Sequence, residues 1–442
     1  MNCKQLILLL AVIFTTTLNA QNAKAVLPDN ATLQQCIDFA LENRPNIKIA
    51  TIDEAIGEKD IASSLSGWFP QLNLTSNYIH NIKIPSAIIG DQVIYMGKKN
   101  TSAVTFQADQ QILNPQLMQA AKSAKLIRAL NAKNTENSKI NTVVEVSKAY
   151  YDILTSNEQL QIIQTNIQRN EKQFSDAKDR YSVGLVDQTD FKRAQIALSN
   201  SKADFKRTSE LLKFKYAYLK ELLGLKQDAA VSLALNENDL ETQVLLENGE
   251  NANAENRVEY KMLELQKGIQ AINTKFGKAA FMPQLSAYLN YGWDWRDAKI
   301  ENLYNNGVPR SVFGLNFNFN IFDGIKKINN IRSSQLMEKR IDLGMTQLKN
   351  QINSEYQLAL ASYNAGINDW QVAKENMQMS KDVYDIIKLQ YDEGIKTYLD
   401  LMNADTDLKA SQVNYLNALY SVLSSKLDVQ KAMGTITTSS KK

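Results

Sequence analysis

From Gln116 to Tyr181 the chain contains neither proline nor glycine. A helix over that stretch would span roughly 100 Å at 1.5 Å per residue. The stretch recurs from Lys326 to Gln390, with only Gly344 and Gly366 as soft points. No compact domain has room for two helices of that length. The chain must therefore be elongated, and the remaining sequence has to explain what so long a pair of helices is for.

Each long helix ends in a turn followed by a returning helix. Leu160, Ile163, Ile167, Phe174, Ala177 and Tyr181 follow the alternating three- and four-residue steps of a heptad seam. After Arg180–Phe191 a second helical face begins with Phe191, Ala194, Leu198, Phe205 and Leu212. Gly184 allows a left-handed helix stop, and Asp187 or Thr189 can cap the return. A shift of 210 residues superposes Gln390–Leu401 on this tip, matching Tyr181 with Tyr391, Gly184 with Gly394, Asp190 with Asp400 and Ala194 with Ala404. The heptad slots refill as Trp370, Ala373, Met377, Tyr384, Ile387 and Tyr391. Slots persist while side chains change, as in a duplicated packing unit. The first repeat is read as residues 21–225, with its tip at about 181–190. The second covers 255–434, with its tip at about 391–400, and a linker at 226–254 joins them. Residues 435–442 form a polar tail.

Each repeat begins with shorter helices, Thr32–Asn43 being the clearest, and Glu42-Asn-Arg44 returns as Glu255-Asn-Arg257. The period then changes from helix to strand. Strands are expected at about 68–80 and 101–113, and again at about 281–295 and 310–322. The cleanest places Leu315, Phe317, Phe319 and Ile321 on one face and Asn316, Asn318 and Asn320 on the other. Strands of about ten residues, apolar on one side and polar on the other with aromatics near the ends, mark a membrane β-barrel. A hairpin of a soluble sandwich shows the same alternation, but the asparagine ladder makes a poor dry core. Four strands would leave two edges unpaired in hydrocarbon, so a barrel requires further copies. Two copies supply eight strands and three supply twelve.

Composition removes several other functions. A net charge of +3 without a basic, aromatic-studded patch argues against nucleic acid. The chain has no phosphate-cradling loop or nucleophile motif, and its one histidine, His80, lacks metal-ligand neighbours at useful spacing. No enzyme activity and no cofactor are expected. Residues 1–20 read as a signal peptide, with Lys4, an apolar core from Leu6 to Phe14 and Leu18-Asn-Ala20 before Gln21. Its removal would leave Cys36 as the single cysteine.

Signal peptide, duplicated helix–strand–strand–helix units and paired tips resemble the outer-membrane efflux protein family, the TolC-like exit ducts. The sharpest match is Val183-Gly-Leu-Val186 followed by Thr189-Asp190. The resemblance implies a mixed α and β membrane protein, in which three chains form a twelve-stranded barrel continued by an α-helical tunnel. It also implies a passive outer-membrane duct, served by a periplasmic adaptor (membrane fusion) protein and an inner-membrane pump. The implied gate consists of Asp190 held by Tyr391 and Lys396, the lysine replacing the usual arginine. The constriction falls on Asp400 and on Asn403, where the family carries a second aspartate. Val183, Gly184, Leu185, Gly394 and Ile395 would form the adaptor-facing rim, being apolar or bare at an exposed turn. Asp190 and Asp400 equally suit helix N-termini, and Tyr391 suits a heptad slot. A secreted coiled-coil scaffold or adhesin is the alternative to a channel.

Overall fold

The computed structural model describes residues 27–184, 187–234, 237–246 and 253–438. The expected signal peptide and Leu185 lie outside the described residues. A capping box formed by Thr32 and Gln35 starts α1 (Leu33–Asn43), and Pro45 opens α2 (Pro45–Leu65). Next come β1 (Gln71–His80), a small hairpin of β2 (Ser86–Ile89) and β3 (Gln92–Tyr95), and β4 (Asn100–Leu113). The long α3 (Pro115–Ser182) turns into α4 (Gln188–Leu223). A short α5 (Glu237–Thr242) precedes the second repeat of α6 (Val258–Ala279), β5 (Gln284–Asp297), β6 (Gly307–Asn318), α7 (Lys326–Asp392) and α8 (Tyr398–Met433).

Four of the strands form one antiparallel sheet in the order β1-β4-β5-β6, and β2 pairs with β3 apart from it. Its register gathers Leu72, Leu74 and Tyr78 with Val104, Phe106 and Ala108, then Leu289, Tyr291 and Trp293, then Phe313, Leu315 and Phe317 on one face. The other face carries Asn73, Thr75, Asn77, Gln107, Asp109, Asn290, Asp294, Arg310 and Asn316. The four helices that adjoin the sheet, α2, α3, α6 and α7, all meet it at one end, and both loops, 81–99 and 298–306, leave from the other. The strands begin later than expected at Gln71 and Gln284, directly after Pro70 and Pro283, which have no N–H to contribute to a ladder. Because β6 takes its register from β5, it starts at Gly307 and closes at Asn318. Phe319–Phe322 therefore lie beyond the paired strand.

Below the sheet the helices stand in rows. Near the barrel the neighbours run α2-α3-α6-α7, and further down they run α4-α3-α8-α7. In both rows α3 is central and α7 is an edge. Between the levels, Ile153, Leu219, Leu222, Leu223, Leu419 and Leu423 form the main core. The linker is part of this core, with Leu233, Leu240 and Val244 buried and Ala31 bridged to Leu233 in parallel. Ile436 in the tail also rests against it. Cys36 is fully buried here, and burial pushes its thiol up to about 12, so it is an inert core residue. Among the described residues, no helix is long and apolar enough to cross a membrane.

Candidate functional site at the helical tips

Both tips use the same backbone device. After α3, Val183 is the C-cap and Gly184 turns left-handed at φ 77°; after α7, Gly394 does so at φ 75°. A side chain at either position would strain the turn, although nothing crowds the space around it. The returning helices are capped differently. Asp187 accepts from the Thr189 N–H at 3.4 Å. Thr397 and Asp400 form a reciprocal box: the Asp400 N–H donates to Thr397 Oγ1 (3.2 Å), and the Thr397 N–H donates to Asp400 Oδ2 (3.0 Å).

Behind the second tip, Tyr384, Leu401, Ala404 and Leu408 pack with Ile387 and Tyr391. A further cluster joins the two hairpins, with Ala177 and Ala194 from the first against Tyr398 from the second, flanked by Phe174, Tyr391 and Met402. Phe191 stacks on Phe174 (5.4 Å) and on Tyr181 (5.7 Å), while Tyr391 meets Tyr398 edge-on at 6.2 Å. Only small side chains at Ala177 and Ala194 let the hairpins approach closely enough for this aromatic seam.

The charges sit around that seam. The guanidinium of Arg180 lies over the Tyr391 ring, 5.2 Å from its centroid. Asp190 pairs with Arg193 on its own helix at 3.6 Å. It lies near enough to Tyr391 and Tyr398 for its charge to help raise both phenols, although burial is the larger cause in each. Tyr398 is pushed up to about 12, and its buried hydroxyl has no hydrogen-bond partner among the described residues. The contact found on Tyr391 is thus with Arg180 rather than Lys396, which is exposed on the tip turn. Hydrogen bonds from Thr397 hold the Asp400 carboxyl below its ordinary value, with a smaller contribution from the Lys396 charge. Asn403 is exposed one turn further on, as are Val183, Gly184, Gly394 and Ile395 at the rim.

The sequence reading missed a second cluster about two turns higher. Arg169 Nε lies 3.1 Å from buried Asp405 Oδ1 without the alignment of a hydrogen bond, and its guanidinium also covers the Tyr384 ring at 4.9 Å. Burial raises the Asp405 carboxyl against the pull of Arg169 and Lys409. Lys409 in turn reaches Asp204 on α4. The only signal for this cluster was a set of charges on the seam side of predicted helices. Their pairing requires three helices to be placed in space.

A duplicated protomer with a one-sided sheet, open at both edges and set on long paired hairpins, is matched by known proteins. The profile of the outer membrane efflux protein family covers residues 36–225 and 270–435, most of the chain.

This chain belongs to the outer membrane efflux protein family.

Among the relatives of this outer membrane efflux protein is the outer membrane protein TolC of Vibrio cholerae, 20% identical over 94% of this chain and 92% of that one. TolC of Escherichia coli K12 is 20% identical over 91% and 82%. The solved outer membrane protein VceC of Vibrio cholerae superposes with a TM-score of 0.75 at 15% identity, covering 91% of this chain and 96% of that one. The Campylobacter jejuni CmeC outer membrane channel gives 0.75 at 17% identity, covering 92% and 87%. The efflux protein is accordingly a TolC-like outer-membrane channel. Three chains, each giving four strands, close the barrel in the outer membrane, and the helical rows continue it as a tunnel in the periplasm. The family is one of ducts rather than enzymes.

Proposed function

We propose that this channel is the passive exit duct of a tripartite efflux or type I secretion assembly, taking solute from a periplasmic adaptor and an inner-membrane pump. Val183, Gly184 and Leu185 of the first tip, with Gly394 and Ile395 of the second, are its docking rim. The supporting observation is the continuity of the protomer. A sheet with one lipid-suited face is joined at a single end to two hairpins whose exposed tips carry apolar residues such as Ile395, 73% exposed. A secreted scaffold has no use for a one-sided sheet with two open edges, and family membership sets that alternative aside.

The tips hold the duct shut at rest. Asp190, Tyr391 and Lys396 are the gate residues, and the geometry adds Arg180 as the cation that grips Tyr391. A cation–π contact of this kind is worth about 0.5–2 kcal/mol, repeated three times by symmetry. That makes closure firm yet open to release by a docked adaptor. The test is single-channel conductance in planar bilayers. Asp190→Ala with Tyr391→Phe should raise conductance, and Arg180→Ala should raise it further than Tyr391→Phe alone, because phenylalanine keeps the ring face. Conductance unchanged in all three variants would place the closure elsewhere.

A further inference from the structure

The two loops at the far end of the sheet behave differently. Loop 298–306 folds down, with Leu303 buried, the Tyr304 ring 5.5 Å from Trp295 and its hydroxyl donating to Ser102 Oγ. Loop 81–99 instead rises as a ribbon. Its stem is tied where the Asn81 N–H donates to the Lys99 carbonyl (2.8 Å) and Asn81 Nδ2 donates to that of Lys98 (3.0 Å). Buried Asn100, bonded to Tyr78, His80 and the Ala298 carbonyl, anchors the foot. Met96 N–H donates to the Pro85 carbonyl, and β2 pairs with β3 up to a turn in which only Gly90 has positive φ, at 63°.

This ribbon is apolar on both faces. Its register puts Ser86, Ile88, Val93 and Tyr95 on one side and Ala87, Ile89, Gln92 and Ile94 on the other. Ile88 is 78% exposed and Ile89, on the opposite face, 65%. An isolated two-stranded hairpin is marginal in water, and large apolar side chains on both faces need two partners. A ribbon lying on lipid would bury only one face. In a threefold assembly each copy has one neighbour on either side, which is the number of surfaces available.

We infer that the three ribbons meet over the bore of the barrel, the Ile88 face of each copy packing on the Ile94 face of the next, and form an apolar plug at the extracellular mouth. The contact is heterologous and closes after three steps, as a cyclic trimer requires. Reach permits it. Twelve strands about 4.8 Å apart and tilted about 40° close with a radius of about 12 Å. Nine residue steps from Asn81 to Gly90 at about 3.3 Å extend up to about 30 Å. The interface is continuous with the barrel contacts of the same three chains and rests on that trimer.

Disulfide trapping tests the plug. Ile88→Cys and Ile94→Cys place thiols on opposite faces, where they cannot bond within one hairpin, and buried Cys36 stays silent. After mild oxidation in detergent, the double variant should run as a covalent trimer on non-reducing denaturing gels. Each single variant should stay monomeric, with at least tenfold less cross-linked product. Native mass spectrometry without oxidant checks the trimer separately. An intact native trimer with no covalent product overturns the plug while leaving the channel reading untouched. So does quenching of Val93→Trp fluorescence by brominated lipid, which would show that lipid covers the ribbon.

Discussion

The helices α3 and α7 are nearly equal in length, at 68 and 67 residues, and derive from the same ancestral slot. They are buried very differently. Helix α3 buries twenty residues and α7 only five, namely Ile352, Ala359, Tyr363, Gly366 and Tyr384. The cause is position. Helix α3 is central in both helical rows and α7 is an edge in both. The apolar side chains that α7 leaves open, including Leu336, Leu343 and Leu358 at 65–71% exposure, form the surface a neighbouring copy would cover. The opposite edges match them with Ile49, Ile52 and Ile56 on α2 and with Ile196, Leu211 and Phe214 on α4. Duplication preserved the pattern, and the trimer divided the work between the copies.

The comparison can be broken at its strong end first. Ile153→Asp puts a charge into the fully buried heart of α3, where an unpaired ion costs several kcal/mol. Envelope fractions should contain no folded protein. Leu343→Arg with Leu358→Arg on α7 should act differently, removing about 1.5–3 kcal/mol of apolar burial per side chain only when copies associate. Native mass spectrometry should then show folded monomers in detergent in place of trimers. If this pair instead abolishes the folded protomer, α7 is as central as α3 and the contrast fails.

Smaller effects sharpen the same contrast at the tips. Gly184→Arg strains a left-handed turn at the end of α3, so export by cells carrying it should fall while trimer yield stays normal. Export equal to wild type would remove that turn from the docking rim. The smallest expected change concerns α8. Asp400→Asn should abolish, and Asn403→Asp strengthen, block by hexammine cobalt added from the periplasmic side of a bilayer. The Thr397 hydrogen bonds depress the Asp400 carboxyl below its ordinary 3.8, so it stays ionised at neutral pH. Its capping contribution is present above that value and is lost as pH falls through the lower folded value. Block should therefore persist on acidification until pH drops below 3.8. Block indifferent to Asp400→Asn would mean that this carboxylate serves only the Thr397 cap.

Much of the architecture was legible from periodicity. A run from Gln116 without proline or glycine can only be a long helix, and the alternation around Asn316 and Phe317 only a two-sided strand. The tip glycines were legible because positive φ nearly requires them. The partner of Tyr391 was not. Lys396 is closer in sequence, yet the turn leaves it exposed, while Arg180 reaches the ring from the other hairpin. The free-standing ribbon at Ser86–Tyr95 was not legible either, since paired strands of only four residues show too few alternations to be told from a loop.

The sequence by itself determined the local periods, the duplication and the places where the chain must turn, because these depend on side chains a few residues apart. It also required more than one copy, since four strands cannot close. Tertiary structure decided the rest: which of two matching helices is central, which cation covers Tyr391, and how Arg169, Asp204, Asp405 and Lys409 gather from three helices. Those contacts join residues up to hundreds of positions apart, and their geometry depends on how the two hairpins pack, a rotation of whole elements that no local pattern encodes.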